Sequence, residues 1–251
     1  MKQSVVLITG ASRGLGEALA LALLARGDQV IGLSRGVSEK AEQSDRFMTI
    51  NADLGSRTEI EMAMHRLFET LDPGAIQSIT LINNAASLEP IALIEDCGAD
   101  DIDAHLQVSV AAPALLTALF LQKTADWTTT RTVANITSGL AAIPAASMSL
   151  YCSSKAFLNM FTSCIREEQR TSANPARVVA IDPGMVETNM QAIARSRQSE
   201  AFPVGGMLQQ AYDSGQVLQP DEVASRIVKL LASGDTGEAI LRTYNMSGEP
   251  V

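Results

Sequence analysis

The chain is short of the residues that metal, disulfide and nucleic-acid chemistry require. It has three cysteines, Cys97, Cys152 and Cys164, with no Cys-x-x-Cys spacing among them. Its two histidines, His65 and His105, stand far apart. These counts argue against a metal site and against a disulfide framework. The odd cysteine number suits a reducing compartment, so a cytoplasmic location is expected. No dense Lys/Arg run exists, and the formal net charge is −9, which argues against nucleic acid and anionic membrane as partners. Long apolar runs are also missing. Val5 to Ile8 is too short for a signal peptide, and Val108 to Leu121, interrupted by Pro113 and Thr117, is below spanning length and reads as a buried helix. No internal repeat, low-complexity stretch or composition shift divides the 251 residues.

What is present is a globular composition, with 46% hydrophobic and 19% charged residues. Short Val/Ile/Leu runs at Ser4–Thr9, Gln29–Ser34, Arg46–Asn51, Ser78–Asn83, Arg131–Thr137, Ala176–Ile181 and Glu238–Arg242 read as strands. Helical patterns fall between them, at about Gly14–Arg26, Ser56–Leu71, Asp101–Thr124, Tyr151–Arg170 and Pro220–Ala232. Near-continuous apolar strands alternating with helices predict an α/β protein with a doubly wound parallel sheet covered on both faces. Glu187 to Gln219 departs from the alternation. It follows a strand end, where ligands bind in such sheets, so it is expected to be a lid over a substrate.

The first strand runs into Thr9-Gly10-Ala11-Ser12-Arg13-Gly14-Leu15-Gly16. Glycines there permit a tight turn and let backbone N–H groups approach a pyrophosphate at a helix N-terminus. Gly10, Ser12, Arg13, Gly14, Leu15 and Gly16 are therefore candidate cofactor ligands. An acid at the end of the second strand would select NAD through the ribose hydroxyl. This chain has Ser34-Arg35 instead. Arg35 and Arg13 present two planar guanidiniums suited to a 2′-phosphate, so NADP(H) is the expected cofactor. Asp53, in Asn51-Ala52-Asp53-Leu54, and Asn84, in Asn83-Asn84-Ala85-Ala86, follow strand ends on the same side. On chemistry alone these residues could equally serve turns.

Tyr151 and Lys155 open the fourth long helix at i and i+4, on one face. A free phenol titrates near 10, and bringing it to about 7 would take roughly 4 kcal/mol. A lysine and a cationic cofactor in a dry pocket are expected to supply that. Cys152 beside Tyr151 lacks a histidine partner and reads as a buried, inert thiol.

Together these motifs resemble the short-chain dehydrogenase/reductase family. They occur in its order: the Thr9–Gly16 loop, Asn83-Asn84-Ala85, Ser138 thirteen residues before Tyr151, Tyr151-x-x-x-Lys155, and Asp182-Pro183-Gly184 with Thr188. The resemblance implies one Rossmann-type domain over residues 1–251, about seven parallel strands, and assembly as a homodimer or homotetramer. Apolar residues on Ala111–Leu121 and Phe157–Ile165 agree with such an interface. It also implies that Asp53, Leu54, Asn84 and Ala85 line the cofactor, and that Pro183, Gly184, Val186 and Thr188 place the nicotinamide. Ser138 would orient the substrate carbonyl, Tyr151 would donate the proton, and Lys155 would lower the phenol pKa and bond the nicotinamide ribose. Ser109 stands where the family carries a helix-bending asparagine of its catalytic tetrad, which puts the proton relay in question.

Asn135–Gly139, Tyr151–Ala156, Asp182–Gln191 and Leu218–Ala224 are similar to bacterial benzil reductases and sepiapterin reductases. That branch implies NADPH-dependent reduction of one carbonyl of an α-dicarbonyl. Pro144–Met148 with Met190, Phe202 and Met207 would form an apolar pocket, while Arg195 and Arg197 face solvent. Two alternatives remain: a silent NADP(H)-binding regulator, and a reductase for another ketone such as an acyl thioester. An esterase built on Ser138 lacks the Gly-x-Ser-x-Gly elbow.

Overall fold

The computed structural model describes residues 3–197, 202–234 and 237–244. Its seven strands are β1 (Gln3–Thr9), β2 (Gln29–Ser34), β3 (Phe47–Asn51), β4 (Ile76–Asn83), β5 (Thr130–Ile136), β6 (Arg177–Asp182) and β7 (Ile240–Arg242). They form one parallel sheet in the order β3-β2-β1-β4-β5-β6-β7. The order reverses between β1 and β4, and a crevice opens there at the strand C-termini.

Side chains alternate across each strand, so every strand feeds two cores. Val5 and Leu7 face one side, with Leu33, Leu67 and Phe120. Val6 and Ile8 face the other, with Leu19, Leu23, Val223 and Ile227. Helix α1 (Gly14–Arg26) and α8 (Pro220–Ala232) cover that second face, while α2 (Arg57–Thr70), α4 (Ala112–Lys123) and α5 (Ser149–Gln169) cover the first. Helix α1 ends at Gly27, whose φ of 98° lets its N–H return to the Leu23 and Leu24 carbonyls.

The helix predicted over Asp101–Thr124 is α3 (Ala99–Leu106), a π turn over Gln107–Ala111, and then α4. Pro113 accounts for the break. It has no N–H to give the carbonyl four residues earlier, and its ring crowds that carbonyl. That position is Ser109, so the bend falls where the family resemblance expects one. The run Ala99–Lys123 is long and apolar enough to cross a membrane, but Ala112, Leu116 and Phe120 pack it against the sheet as a core helix.

The predicted lid contains α6 (Asn189–Ser196) and α7 (Pro203–Asp213), with residues 198–201 outside the described set. Among the described residues, α6 is followed by α7 without an intervening strand, which is the departure from strand–helix alternation. The Glu89–Pro90 peptide is cis.

Candidate active site

The glycine loop is built by close approach. A Cβ on Gly16 would stand 2.1 Å from the Gly10 carbonyl oxygen and 2.6 Å from Asn84 Nδ2. Gly10 and Gly14 hold φ of 68° and 58°, in the left-handed region. Asn84 stitches this loop to β4. Its Nδ2 donates to the Thr9 carbonyl at 2.9 Å, and the N–H groups of Asn84 and Ala85 donate to Thr9 Oγ1 at 2.9 and 3.0 Å. Arg13, the residue preceding α1, makes no side-chain cap, so the first-turn N–H groups of Gly14, Leu15 and Gly16 are not covered by a capping oxygen. Thr188 caps α6 by accepting from Gln191 N at 3.3 Å, and its methyl lies 3.4 Å from a Cβ built on Gly14. The first and last parts of the predicted cofactor set therefore meet at one edge of the crevice.

At the end of β2, Arg35 is 76% exposed, and its guanidinium makes only a 4.0 Å contact with Asp53 Oδ2. Arg13 is exposed, and Ser12 lies beside Gly36. Asp53 Oδ1 accepts from Gly55 N at 2.8 Å, a turn role that the sequence left open. Leu54 is buried in the core next to Leu33 and Ile60.

The second cluster lies at the ends of β5 and β6. Ser138 is hydrogen-bonded to the Tyr151 phenol and also accepts from Leu140 N at 3.2 Å. Lys155 is buried; its Nζ donates to the Ile136 carbonyl at 2.8 Å and stands 5.7 Å from the Tyr151 ring centroid. The expected lowering of the phenol pKa is absent from the protein by itself. Burial pushes Tyr151 up to about 12, against the hydrogen bond from Ser138, with the Asp182 carboxylate adding to the rise. Burial likewise pulls Lys155 down to about 8, against the attraction of Asp182. Desolvation dominates at Tyr151 because an apolar roof packs against it. Tyr151 is a protonated phenol at neutral pH, the form a proton donor needs.

That roof is Leu88, Met148, Ala194 and Phe202, with Ile91, Leu140, Ala145, Cys152, Met190 and Leu208 against it. Met148, Met190 and Phe202 thus meet at Tyr151 as predicted. Met207 does not, being 68% exposed on the outer side of α7. Arg195 also corrects its expectation: it is not a solvent-facing charge. It makes a two-pronged ion pair with Glu187, at 2.6 and 2.8 Å, and lies 4.1 Å over the Tyr212 ring, with 11% of its side chain exposed. The ion pair ties α6 to the segment just before it, and the stacking on Tyr212 braces α6 to α7. Arg197 reaches Glu89 Oε1 at 3.1 Å, joining the lid to the loop after β4. Cys152 is half-buried, with burial pushing its thiol up, as an inert thiol should be.

Ser109 is buried in the π turn, where its Oγ accepts from Ser87 N at 3.0 Å. Sequence reasoning missed three residues near the site. Tyr244 donates a short hydrogen bond to Asp182, and its ring covers Gly184. It lies 62 positions along the chain from Asp182, with no local signal. Ser147, buried just before α5, has φ 61°, which only the folded backbone reveals. His105, set aside as a metal ligand and as a nucleophile's partner, is buried beside Ser154, with Nδ1 2.9 Å from the Glu89 carbonyl oxygen. Burial holds its pKa below 6.5 despite the hydrogen bonds to the Glu89 and Leu150 backbone, and Lys155 adds to the lowering.

A stability prediction follows from His105. As pH falls below about 6.5, the unfolded chain binds a proton that the folded imidazole still refuses. Folding stability should therefore drop below that pH and stop dropping, for this group, once the folded pKa is passed. His105→Asn should flatten this acid limb in melting temperatures recorded from pH 7.5 to 5. An unchanged limb would show that other groups cause it.

A family model for short chain dehydrogenases matches residues 4–199. The benzil reductase ((S)-benzoin forming) of Bacillus subtilis (strain 168) is 37% identical over 229 residues, covering 91% of this chain and 93% of the relative. Sepiapterin reductase of Bos taurus is 28% identical over 244 residues, covering 91% and 90%. Among solved structures, 3-ketoacyl-(acyl-carrier-protein) reductase from Brucella melitensis, complexed with NADH, superposes with a TM-score of 0.79 at 23% identity, covering 96% of each chain, which speaks for the fold alone.

Proposed function

Because this chain belongs to the short-chain dehydrogenase/reductase family, an oxidoreductase family, we propose that it is an NADPH-dependent carbonyl reductase acting on one carbonyl of an aromatic or branched α-dicarbonyl. The carrying observation is the Ser138–Tyr151 hydrogen bond with Lys155 behind it, roofed by apolar side chains. An apolar roof suits a substrate with bulky apolar substituents and disfavours sugars and phosphates. The 37% identity to a benzil reductase supports the same substrate class.

The glycine loop fits a dinucleotide: any Cβ at Gly16 would fill the space its backbone needs, and the uncapped start of α1 offers N–H groups to a pyrophosphate. Gly10, Ser12, Gly14, Leu15 and Gly16 would hold the pyrophosphate, Arg13 and Arg35 the 2′-phosphate, and Asp53, Leu54, Asn84 and Ala85 the adenosine side. Pro183, Gly184, Val186 and Thr188 would hold the nicotinamide end. NADPH supplies the hydride when bound. The rest is done by this chain. Ser138 donates a hydrogen bond to the carbonyl oxygen and orients it. Tyr151 gives its phenolic proton to that oxygen as negative charge develops, and an alkoxide is a far stronger base than a phenolate. Lys155 stabilises the phenolate left behind through its charge. Ser109 pins the Ser87 loop, its Oγ accepting from Ser87 N.

We place the protein in the cytoplasm as a homodimer or homotetramer. Met160 is exposed on α5 beside the stacked Phe157 and Phe161 rings, 5.1 Å apart, which supports an apolar subunit contact there.

Loss of NADPH absorbance tests the substrate class. Benzil or 1-phenyl-1,2-propanedione should give a higher kcat/KM than acetoacetyl thioesters or simple sugars. The reverse order would refute the dicarbonyl reading. The cofactor assignment has its own test in Arg35→Ala. NADPH binding should weaken by roughly 1–3 kcal/mol, the scale of a charge-assisted hydrogen bond, with NADH binding almost unchanged. Equal losses for the two cofactors would defeat the assignment.

A further inference from the structure

We propose that His105 is a positioning residue for the reduction, its imidazole locking the Ser87–Ala92 loop onto the catalytic helix α5. The inference rests on the reductase reading above. His105 lies on α3, one turn before Ser109, and is 1% exposed. Its Nδ1 is 2.9 Å from the Glu89 carbonyl oxygen. A carbonyl only accepts, so Nδ1 carries the proton and the neutral ring offers a lone pair at Nε2. That nitrogen is 3.3 Å from Ser154 Oγ, whose single proton is shared between Nε2 and the Tyr151 carbonyl oxygen, 2.8 Å away. Ser154 directly precedes Lys155 and follows Tyr151 by three residues, so the imidazole grips the turn of α5 that carries both.

The loop end is held with equal care. The Glu89 carbonyl also accepts from Ser87 Oγ at 3.0 Å, and Ser87 N donates to Ser109 Oγ at 3.0 Å. Ala92 N donates to the Ser147 carbonyl at 3.1 Å, just before α5. Two side chains one turn apart on a single helical run, His105 and Ser109, therefore seize one loop. Leu88 and Ile91 of that loop pack in the cluster that covers Tyr151. The wall of the carbonyl pocket and the proton donor are thus fastened to each other through His105. Histidine suits the task because its two nitrogens point from opposite edges of a rigid ring, whereas Asn or Gln presents one short amide end. A buried polar bridge of this kind specifies geometry more than it stabilises.

The test is a double-mutant cycle with His105→Asn, Ser154→Ala and the double variant, on the full chain. Each single substitution should lower kcat about tenfold and raise the KM of the carbonyl, as a small misplacement of reacting groups does. NADPH affinity, read by its fluorescence, should stay within about twofold, and cooperative melting should persist. The double variant should be no worse than the worse single, because both cut the same link. Losses that multiply, or an unchanged kcat and KM in His105→Asn, would overturn the proposal. His105→Gln replaces His105→Asn in the cycle if the latter does not fold. Kinetics are read on whichever carbonyl the unaltered chain reduces, so a failed dicarbonyl assignment leaves this test standing. Amide hydrogen exchange provides a readout without turnover. Residues 87–92 and the first turn of α5 should both exchange faster in the histidine variant, and unchanged protection at both would also overturn it.

Discussion

Replacing Tyr151 by Phe is expected to lower turnover at least about 100-fold, the usual contribution of a positioned acid, while NADPH still binds. The change removes one oxygen and leaves the ring under Phe202 and Met148. Lys155 keeps its bond to the Ile136 carbonyl, and Ser138 keeps Leu140 N, so the local frame survives. What disappears is the proton for the reduced carbonyl. Because burial holds the phenol at about 12 in the unliganded protein, the group is fully protonated at neutral pH, and the loss should be uniform from pH 6 to 8. The measurement is single-turnover NADPH oxidation beside a melting curve. Turnover close to that of the unaltered chain would end the proton-donor assignment.

The second large effect is structural. Gly16→Ala sets a methyl 2.1 Å from the Gly10 carbonyl oxygen, with the Gly10 carbonyl carbon at 2.9 Å and Asn84 Nδ2 at 2.6 Å. Two of those atoms are backbone and cannot swing aside, and the Asn84 amide is held by the Thr9 carbonyl. Overpacking typically costs about 1–3 kcal/mol and sometimes more, and a backbone collision lies at the upper end of that range. A melting temperature lower by roughly 10 °C is expected for a domain of this size, together with loss of NADPH binding. Gly206→Ala is the control. It lies in α7 with nothing within 4 Å of its Cβ, so alanine there should be neutral or stabilise by about 0.5–1 kcal/mol through helix propensity. Equal melting temperatures for the two variants would show that the glycine loop is looser than its geometry states.

Much of the sheet and both ends of the site were legible in the chain because their signals are local. Val5–Ile8 and Val178–Ile181 are apolar on both faces, which marks doubly covered strands. Glycines that need left-handed φ sit within one loop. Tyr151 and Lys155 share one helix face, so four residues of spacing were enough to pair them. Boundaries slipped where a distant partner decides them. Strand β7 begins at Ile240 rather than Glu238, since its length is set by pairing with Ala180–Asp182. The solvent-facing reading of Arg195 and the pocket reading of Met207 failed for the same reason. Amphipathic patterns do not say which neighbouring helix a side chain meets.

By itself, the sequence determined the doubly wound sheet, the glycine loop and the Ser138, Tyr151 and Lys155 constellation. Each depends on residues close in the chain or on a motif order that the fold preserves. The tertiary structure alone decided the electrostatics of the site and its supports. Tyr151 and Lys155 are shifted mainly by loss of water, and burial is a property of everything packed around a group rather than of its neighbours in sequence. Tyr244 meets Asp182 across 62 residues, and His105 meets Ser154 across 49. Pairings at such separations arise only when β5, β6, α3 and α5 have been brought together by the burial of their apolar faces, and no local pattern records them.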